Sequence, residues 1–504
     1  MIDLKVLLEL SEVSPVRVDG DASVFAIVSD SRRVEPGAMF VCMPGLSRDT
    51  HEFLSEARSK GAKSALVFTE SGFNTAKELG MAAVQLSADV PEFYASVGLI
   101  CREFYSDPTL DMRVIGVTGT NGKTTVAWLL QQALGPDAAY MGTLGLKIGG
   151  KLTDIGNTTP FPTDLWEALN EARSKGVTHF VMEVSSHSLD QKRIEGVRFD
   201  LGLFTNLSQD HLDYHGSMEA YKAAKLRLFE EVAEASEQPF VAVINADDPV
   251  GQEWIARWEK VKLGEFAPLV LSYGFQAGTV RGTLKSLAFD SLELGVKIPE
   301  GEFEAKIGVG GKFNAENCLA VFAAMAAIGR SPSELAKALS EAKPVPGRFE
   351  SITNTKGIGV IVDYAHTDDA LEKLLESGRD LNPGKMICVF GCGGDRDRTK
   401  RPKMAGVSTR LADHTVFTSD NPRTEDPAQI MADLLSGARE GSSFEVITDR
   451  QAAIQSAIEM AERGDLVVIA GKGHEDYQIV GREKLPFDDR IEALRALSSA
   501  VGKA

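Results

Sequence analysis

Apolar and polar positions along the chain fall into two rhythms. Short continuous apolar runs bounded by turn residues read as buried strands: Met112 to Val117, His179 to Val184, Phe240 to Ile244, Ile358 to Val362, Met386 to Phe390 and Leu466 to Ala470. Stretches of helical spacing lie between them, Thr124 to Leu134 among them, and this alternation predicts mainly parallel sheets. The first hundred residues carry shorter runs, Val24 to Val28 and Met39 to Met43, on either side of the turn Glu35-Pro36-Gly37, as in a small α/β module. Ser106-Asp107-Pro108 reads as a linker, and Lys343-Pro344-Val345-Pro346-Gly347 interrupts the pattern again. The expected organisation is α/β in three domains, 1–108, 109–343 and 344–504, without internal repeats.

Composition narrows the function classes. A chain of 504 residues exceeds what one core usually organises. No apolar run approaches the ~20 residues that span a bilayer, and the N-terminus lacks a secretory pattern, so a cytoplasmic protein is expected. Five scattered cysteines argue for reduced thiols, with Cys388 and Cys392 serving packing rather than metal. The formal net charge of −18 disfavours nucleic acid, so an anionic substrate needs local basic groups.

The candidate chemistry begins at Val117-Thr118-Gly119-Thr120-Asn121-Gly122-Lys123-Thr124-Thr125, between a strand and a helix. There, backbone N–H groups and the helix N-terminus can cradle polyphosphate. Lys123 reaches the outer phosphates and Thr124 offers a hydroxyl to Mg2+; Val117 replaces the first glycine of the strict pattern. The loop announces a nucleotide and leaves the reaction open. Glu183 ends a strand, where open α/β sheets place ligand chemistry, although a lone Glu there is more often a solvated charge. The polar run Thr205 to Asp213 and the following Lys222 and Lys225 are expected in the same cleft.

These segments resemble the Mur ligase family, ATP-dependent amide-bond-forming enzymes of peptidoglycan synthesis. The similar stretches are Thr118 to Thr125, Glu183 to His187, Asn206 to His211, Ala224-Lys225, Asn245 to Asp248, Gly311 to Asn317, Pro346 to Phe349 and Asp363 to His366. The resemblance implies a small N-terminal UDP-binding domain, a central P-loop ATPase-like parallel sheet and a Rossmann-like C-terminal domain. It implies that ATP phosphorylates a substrate carboxylate and that an amine then displaces phosphate. Gly119, Thr120, Asn121, Gly122, Lys123, Thr124 and Thr125 would hold the nucleotide, with Asn314 and Asn317 on adenine and Arg348 and Asp363 adding contacts. Thr124, Glu183, His211 and Lys225 would form the magnesium sites, Lys225 as a carbamate, and Lys123 would join the last three as the catalytic set. Magnesium prefers oxygen, so His211 is the least natural ligand.

Within that family the tripeptide-forming branch is the nearest resemblance. Asn157, Thr158, Thr159, Ser185, Gln191 and Arg193 would bind a UDP-muramoyl-dipeptide, and Ser31 within Ser29-Asp30-Ser31-Arg32 its uridine end. Asp420-Asn421-Pro422-Arg423, with Arg396, Gly471 and Glu475, is similar to the segment that recognises meso-diaminopimelate, and His366 would also touch substrate. An arginine fork suits a distal carboxylate that lysine lacks. Some lysine-adding relatives keep such an arginine, so L-lysine stays as an alternative amine. More distant alternatives are a folylpolyglutamate synthetase and a non-catalytic nucleotide switch. One departure is Asp368, where the family has proline, so the local loop is expected to differ.

Overall fold

Continuous apolar strands are stable where both sheet faces are covered, and most of the expected strands meet that condition. The structure, a computed structural model, describes residues 1–44, 49–261 and 266–501. It divides into two compact units, 1–279 with 323–328, and 280–322 with 329–504. Neither expected boundary, at 108 or at 343, coincides with that division.

In the first unit, a five-stranded sheet has the order Arg17–Asp19, Ala82–Gln85, Ser64–Val67, Ala38–Val41, Ala26–Val28. All but the Arg17 strand pair in parallel. The expected Val24 to Val28 strand is split: Ser23–Val24 pairs with Ile2–Asp3, and the exposed Phe25 separates the halves. The second sheet of this unit sets the strand Arg113–Thr118 between His179–Glu183 and Leu201–Phe204, all parallel. Ala138–Gly142 lies beyond one neighbour and Val241–Asn245 beyond the other. The strand order therefore reverses at Arg113–Thr118, which opens a crevice at its C-terminal end.

One apolar core runs from Leu4 through Phe93, Val114 and Phe180 to Trp258, so residues 1–108 share packed side chains with the next segment of the chain. The expected linker is correspondingly a fixed turn. Ser106 and Asp107 have left-handed φ angles of 54° and 34°. Asp107 caps the short 3-10 helix Pro108–Asp111 and accepts from Arg198 Nε at 3.0 Å.

The second unit contains the antiparallel strands Val280–Leu287, Leu292–Ile298 and Gly301–Ile307. It also holds a six-stranded sheet, ordered Glu350–Ser351, Gly359–Asp363, Leu466–Ala470, Met386–Phe390, His414–Phe417, Phe444–Val446. Alternate side chains point to opposite faces: Cys388, Phe390 and Val468 enter one core, Ile387, Val389 and Val467 the other. Both faces are covered, which is why these strands read as unbroken apolar runs. Cys388 and Cys392 are buried, burial pushes both thiols up to about 12, and Cys392 Sγ lies 3.6 Å from Met404 Sδ. They serve packing. No described helix is long and apolar enough to cross a membrane.

Candidate active site

The phosphate loop leaves the reversal point of the first unit. Gly119 has φ 150°, and a Cβ there would lie 1.9 Å from Thr205 Oγ1, so only glycine lets the loop pass this neighbour. The polar run after Leu201–Phe204 braces the loop, as expected. Thr205 Oγ1 donates to the Asn121 carbonyl at 2.6 Å, and the N–H groups of Thr120 and Asn121 donate to the Asn206 carbonyl and Oδ1 at 2.8 and 3.0 Å. The helix Lys123–Leu134 starts after Gly122, with Thr124 and Thr125 buried in its first turn. Lys123 Nζ donates to the carbonyls of Gly119 and Thr120 at 3.0 and 2.9 Å.

Glu183 is wholly buried rather than a solvated strand-end charge. Tyr140 Oη and the Thr143 N–H donate to its Oε1 at 2.7 and 2.9 Å, and Thr124 Oγ1 and Thr143 Oγ1 to its Oε2 at 3.0 and 3.2 Å. The backbone approaches closely at Gly142, where a Cβ would fall 2.1 Å from Glu183 Oε1. Sequence reasoning passed over Tyr140 and Thr143. Both belong to the neighbouring strand Ala138–Gly142 and its turn, and only parallel pairing brings them to Glu183.

Lys225 is buried in the helix Met218–Leu226, its Nζ donating to the Gly119 carbonyl at 2.7 Å and facing the Tyr221 ring at 4.6 Å. Burial, with the nearby Lys123 ammonium adding to it, holds this amine well below the usual lysine range. Lys222, expected in the same cleft, is instead paired with Glu253 at 2.8 Å. His211 pairs with Asp210 at 3.4 Å and meets the His187 ring edge-on at 4.9 Å; burial lowers its pKa. The donor set fits magnesium in part. Thr124 and Glu183 put hard oxygens side by side at the phosphate loop, whereas among the described residues no three His, Cys, Asp or Glu side chains converge into a metal cage. Such a site would need phosphate oxygens to complete it, as magnesium sites commonly do.

Thr159 ties the dipeptide segment to this centre. Its Oγ1 donates to the Glu183 carbonyl at 2.8 Å and accepts the Ser185 N–H at 3.1 Å. Thr158 meets Thr143 hydroxyl to hydroxyl at 3.1 Å, while Asn157 is exposed. Arg193 donates to Gln191 Oε1 and the Thr159 carbonyl and lies 4.3 Å over the Phe161 ring. Ser185 caps the helix Ser186–Asp190. Ser31 opens the short 3-10 helix Ser31–Arg33 after the strand Ala26–Val28 and donates to Glu56 Oε2 at 2.8 Å.

The remaining candidates lie in the second unit. Asn314 Nδ2 donates to the Gly310 carbonyl at 2.7 Å and Asn317 Nδ2 to Asn314 Oδ1 at 3.1 Å. Arg348 stacks over Tyr364 at 4.8 Å, and its buried Nε has no hydrogen-bond partner, a donor that suits a phosphate or ribose oxygen. Asp363 accepts the N–H groups of Phe349 and Ala365; burial raises its pKa against the pull of Arg348. Asp368 is the first residue of the helix Asp368–Arg379, capped by Thr367. That position tolerates proline because its N–H has no helical partner, so either residue fits this helix start.

Asp420 and Asn421 are buried after the strand His414–Phe417. Arg423, with φ 52°, directs Nη1 to the Gly394 carbonyl at 2.8 Å. Glu475 Oε2 accepts from Asn421 Nδ2 at 2.9 Å. Gly471 directly follows Leu466–Ala470, and Arg396 and His366 are exposed. Sequence reasoning missed Lys472, although a lysine two residues past an apolar strand end was a visible signal.

Residues 117–325 match the family description "Mur ligase middle domain" and 347–473 match "Mur ligase, glutamate ligase domain". A Synechococcus elongatus protein named UDP-N-acetylmuramoyl-L-alanyl-D-glutamate--2,6-diaminopimelate ligase is 43% identical over 494 residues, 95% of each chain. A Geobacillus thermodenitrificans protein of the same name is 40% identical over 490 residues, 95% of this chain and 96% of its own. A solved structure of a protein so named superposes with a TM-score of 0.67 at 33% identity, covering 97% of this chain and 98% of that one. On its ordered motifs, its fold and these full-length likenesses, the chain belongs to the Mur ligase family.

Proposed function

We propose that this chain is an ATP-dependent ligase that joins meso-2,6-diaminopimelate to UDP-N-acetylmuramoyl-L-alanyl-D-glutamate in peptidoglycan precursor synthesis. The observation that carries the choice of amine is a loop cluster that supplies both charge types: Arg423, held on the Gly394 carbonyl, follows closely on Asp420 and on Asn421, whose amide donates to Glu475. An amine bearing both a second ammonium and a distal carboxylate satisfies both charges there. Lysine would bring only the ammonium.

Residues 1–108 anchor the UDP end through Ser31, 109–343 bind ATP, and 344–504 bind the amino acid. Bound ATP with Mg2+ supplies the phosphoryl group that makes a substrate carboxylate an acyl donor. Gly122 to Thr125 present backbone N–H groups and the helix N-terminus to phosphate, and Lys123, held by loop carbonyls, would turn to phosphate oxygens. Glu183 and Thr124 would hold the cation, with His211 as a further candidate ligand. Burial favours the uncharged form of the Lys225 amine, the form that adds to carbon dioxide and releases a proton to give a carbamate, an oxygen ligand in place of a buried base. Thr159, Arg193 and Gln191 orient the dipeptide beside Glu183. The use of ATP and a UDP-linked substrate supports a cytoplasmic location.

Phosphate release is the test. Release that requires UDP-muramoyl-dipeptide together with diaminopimelate is expected. Preference for L-lysine would overturn the amine assignment, and release independent of both substrates would overturn the ligase.

A further inference from the structure

Lys472 has no part in the proposed reaction, yet it is the most deeply buried cation of the amine cluster, with 0% of its side chain exposed. Its Nζ donates to Asn421 Oδ1 and Glu475 Oε2 at 3.1 Å each and lies 3.9 Å from Asp420 Oδ1. The Tyr477 ring faces it at 5.6 Å. Asn421 completes the frame: its Nδ2 donates to the same Glu475 oxygen, and its Oδ1 also accepts the Ile479 N–H at 2.9 Å. Gln478 Nε2 donates to the Asp420 carbonyl at 2.6 Å.

A buried ammonium is retained only where carboxylates and hydrogen bonds offset its desolvation. Here the offset comes from the groups assigned to the substrate ammonium. The neighbouring Arg450, also fully buried, is already matched by Asp489 through two 2.7 Å bonds. Lys472 therefore offsets one of the two carboxylates, Asp420 and Glu475, and leaves the other for an incoming ammonium, while Arg423 is kept for a distal carboxylate. Without Lys472, two carboxylates would repel each other across the cluster, and Asn421 and Glu475 would lose their common anchor.

We infer that Lys472 is a positioning residue for the incoming amine, holding Glu475 and Asn421 in register beside Asp420 and leaving one of the two carboxylates for the substrate ammonium. The inference rests on the proposed amine pocket. It is tested by steady-state kinetics of the full chain, varying diaminopimelate, ATP and UDP-muramoyl-dipeptide separately in the native protein, Lys472→Met and Arg423→Ala. Lys472→Met is expected to raise the KM for diaminopimelate by about tenfold or more, with kcat and the other two KM values within about threefold.

An unchanged KM for diaminopimelate beside a raised one in Arg423→Ala would overturn the role of Lys472 and keep the pocket. An equal rise in all three KM values, or a fall in kcat alone, would reduce Lys472 to a structural residue. A native protein indifferent to diaminopimelate would remove the pocket itself. If thermal melting shows Lys472→Met unfolded, Lys472→Gln, which keeps a donor without the charge, is held to the same criteria.

Discussion

The phosphate loop of the first unit and the amine cluster of the second both stand at the C-terminal ends of parallel strands, yet they hold their cations in opposite ways. Lys123 and Lys225 donate to backbone carbonyls of Gly119 and Thr120. Lys472 sits among Asp420, Asn421 and Glu475, and Arg401 nearby is held by Glu425 and Asp433. A carbonyl is a weak, neutral acceptor, so a polyphosphate can draw lysine away from it. A carboxylate is not so easily displaced. Under the proposed function, the first region hands positive charge to an anionic ligand, and the second keeps its own charges matched while reading those of a zwitterion.

The sharpest way to break that contrast is Lys225→Ala. Loss of this group is expected to lower kcat by about a hundredfold to a thousandfold, with partial recovery in acetate or propionate, whose carboxylate can enter the vacated space. Phosphate release with and without the acid measures both effects; undiminished activity would remove Lys225 from the catalytic set. Next in size is Glu183→Gln. Its amide nitrogen cannot accept from the two donors at the oxygen it replaces, and the negative charge is lost, so kcat should fall about a hundredfold. Denaturant unfolding should show a loss of about 1–3 kcal/mol as well.

In the second unit, Arg423→Lys replaces a planar fork by a point charge. The kcat/KM preference for diaminopimelate over lysine should then shrink by about tenfold, measured by competition between the two amines. The smallest effect belongs to Asp368→Pro, expected to change stability by no more than about 0.5 kcal/mol in thermal melting. A larger loss would mean that the Asp368 N–H matters to the turn after Asp363.

Much of this was legible in the sequence because it is local. The strand Met386–Phe390 emerges at its expected residues and Arg113–Thr118 one residue along, since a run buried on both faces needs no partner to be recognised. The phosphate loop is equally local, a strand, two glycines and a helix start within ten residues. What stayed hidden depends on which elements become neighbours. Lys222 and Lys225 lie one turn apart on a helix, and only packing decided that one meets Glu253 and the other Gly119, 106 residues away in the chain.

The chain alone thus determined the α/β class, the nucleotide loop and the order of the family motifs, because periodicity and backbone geometry act over a few residues. Tertiary structure decided that the first 108 residues share a core with the sheet around Arg113–Thr118, that Glu183 is encircled by Tyr140, Thr143 and Thr124, and that Lys472 lies between two carboxylates. Charge and burial depend on side chains brought together from strands distant in sequence. Their effect on a lysine or a glutamate is settled only when the sheets have formed.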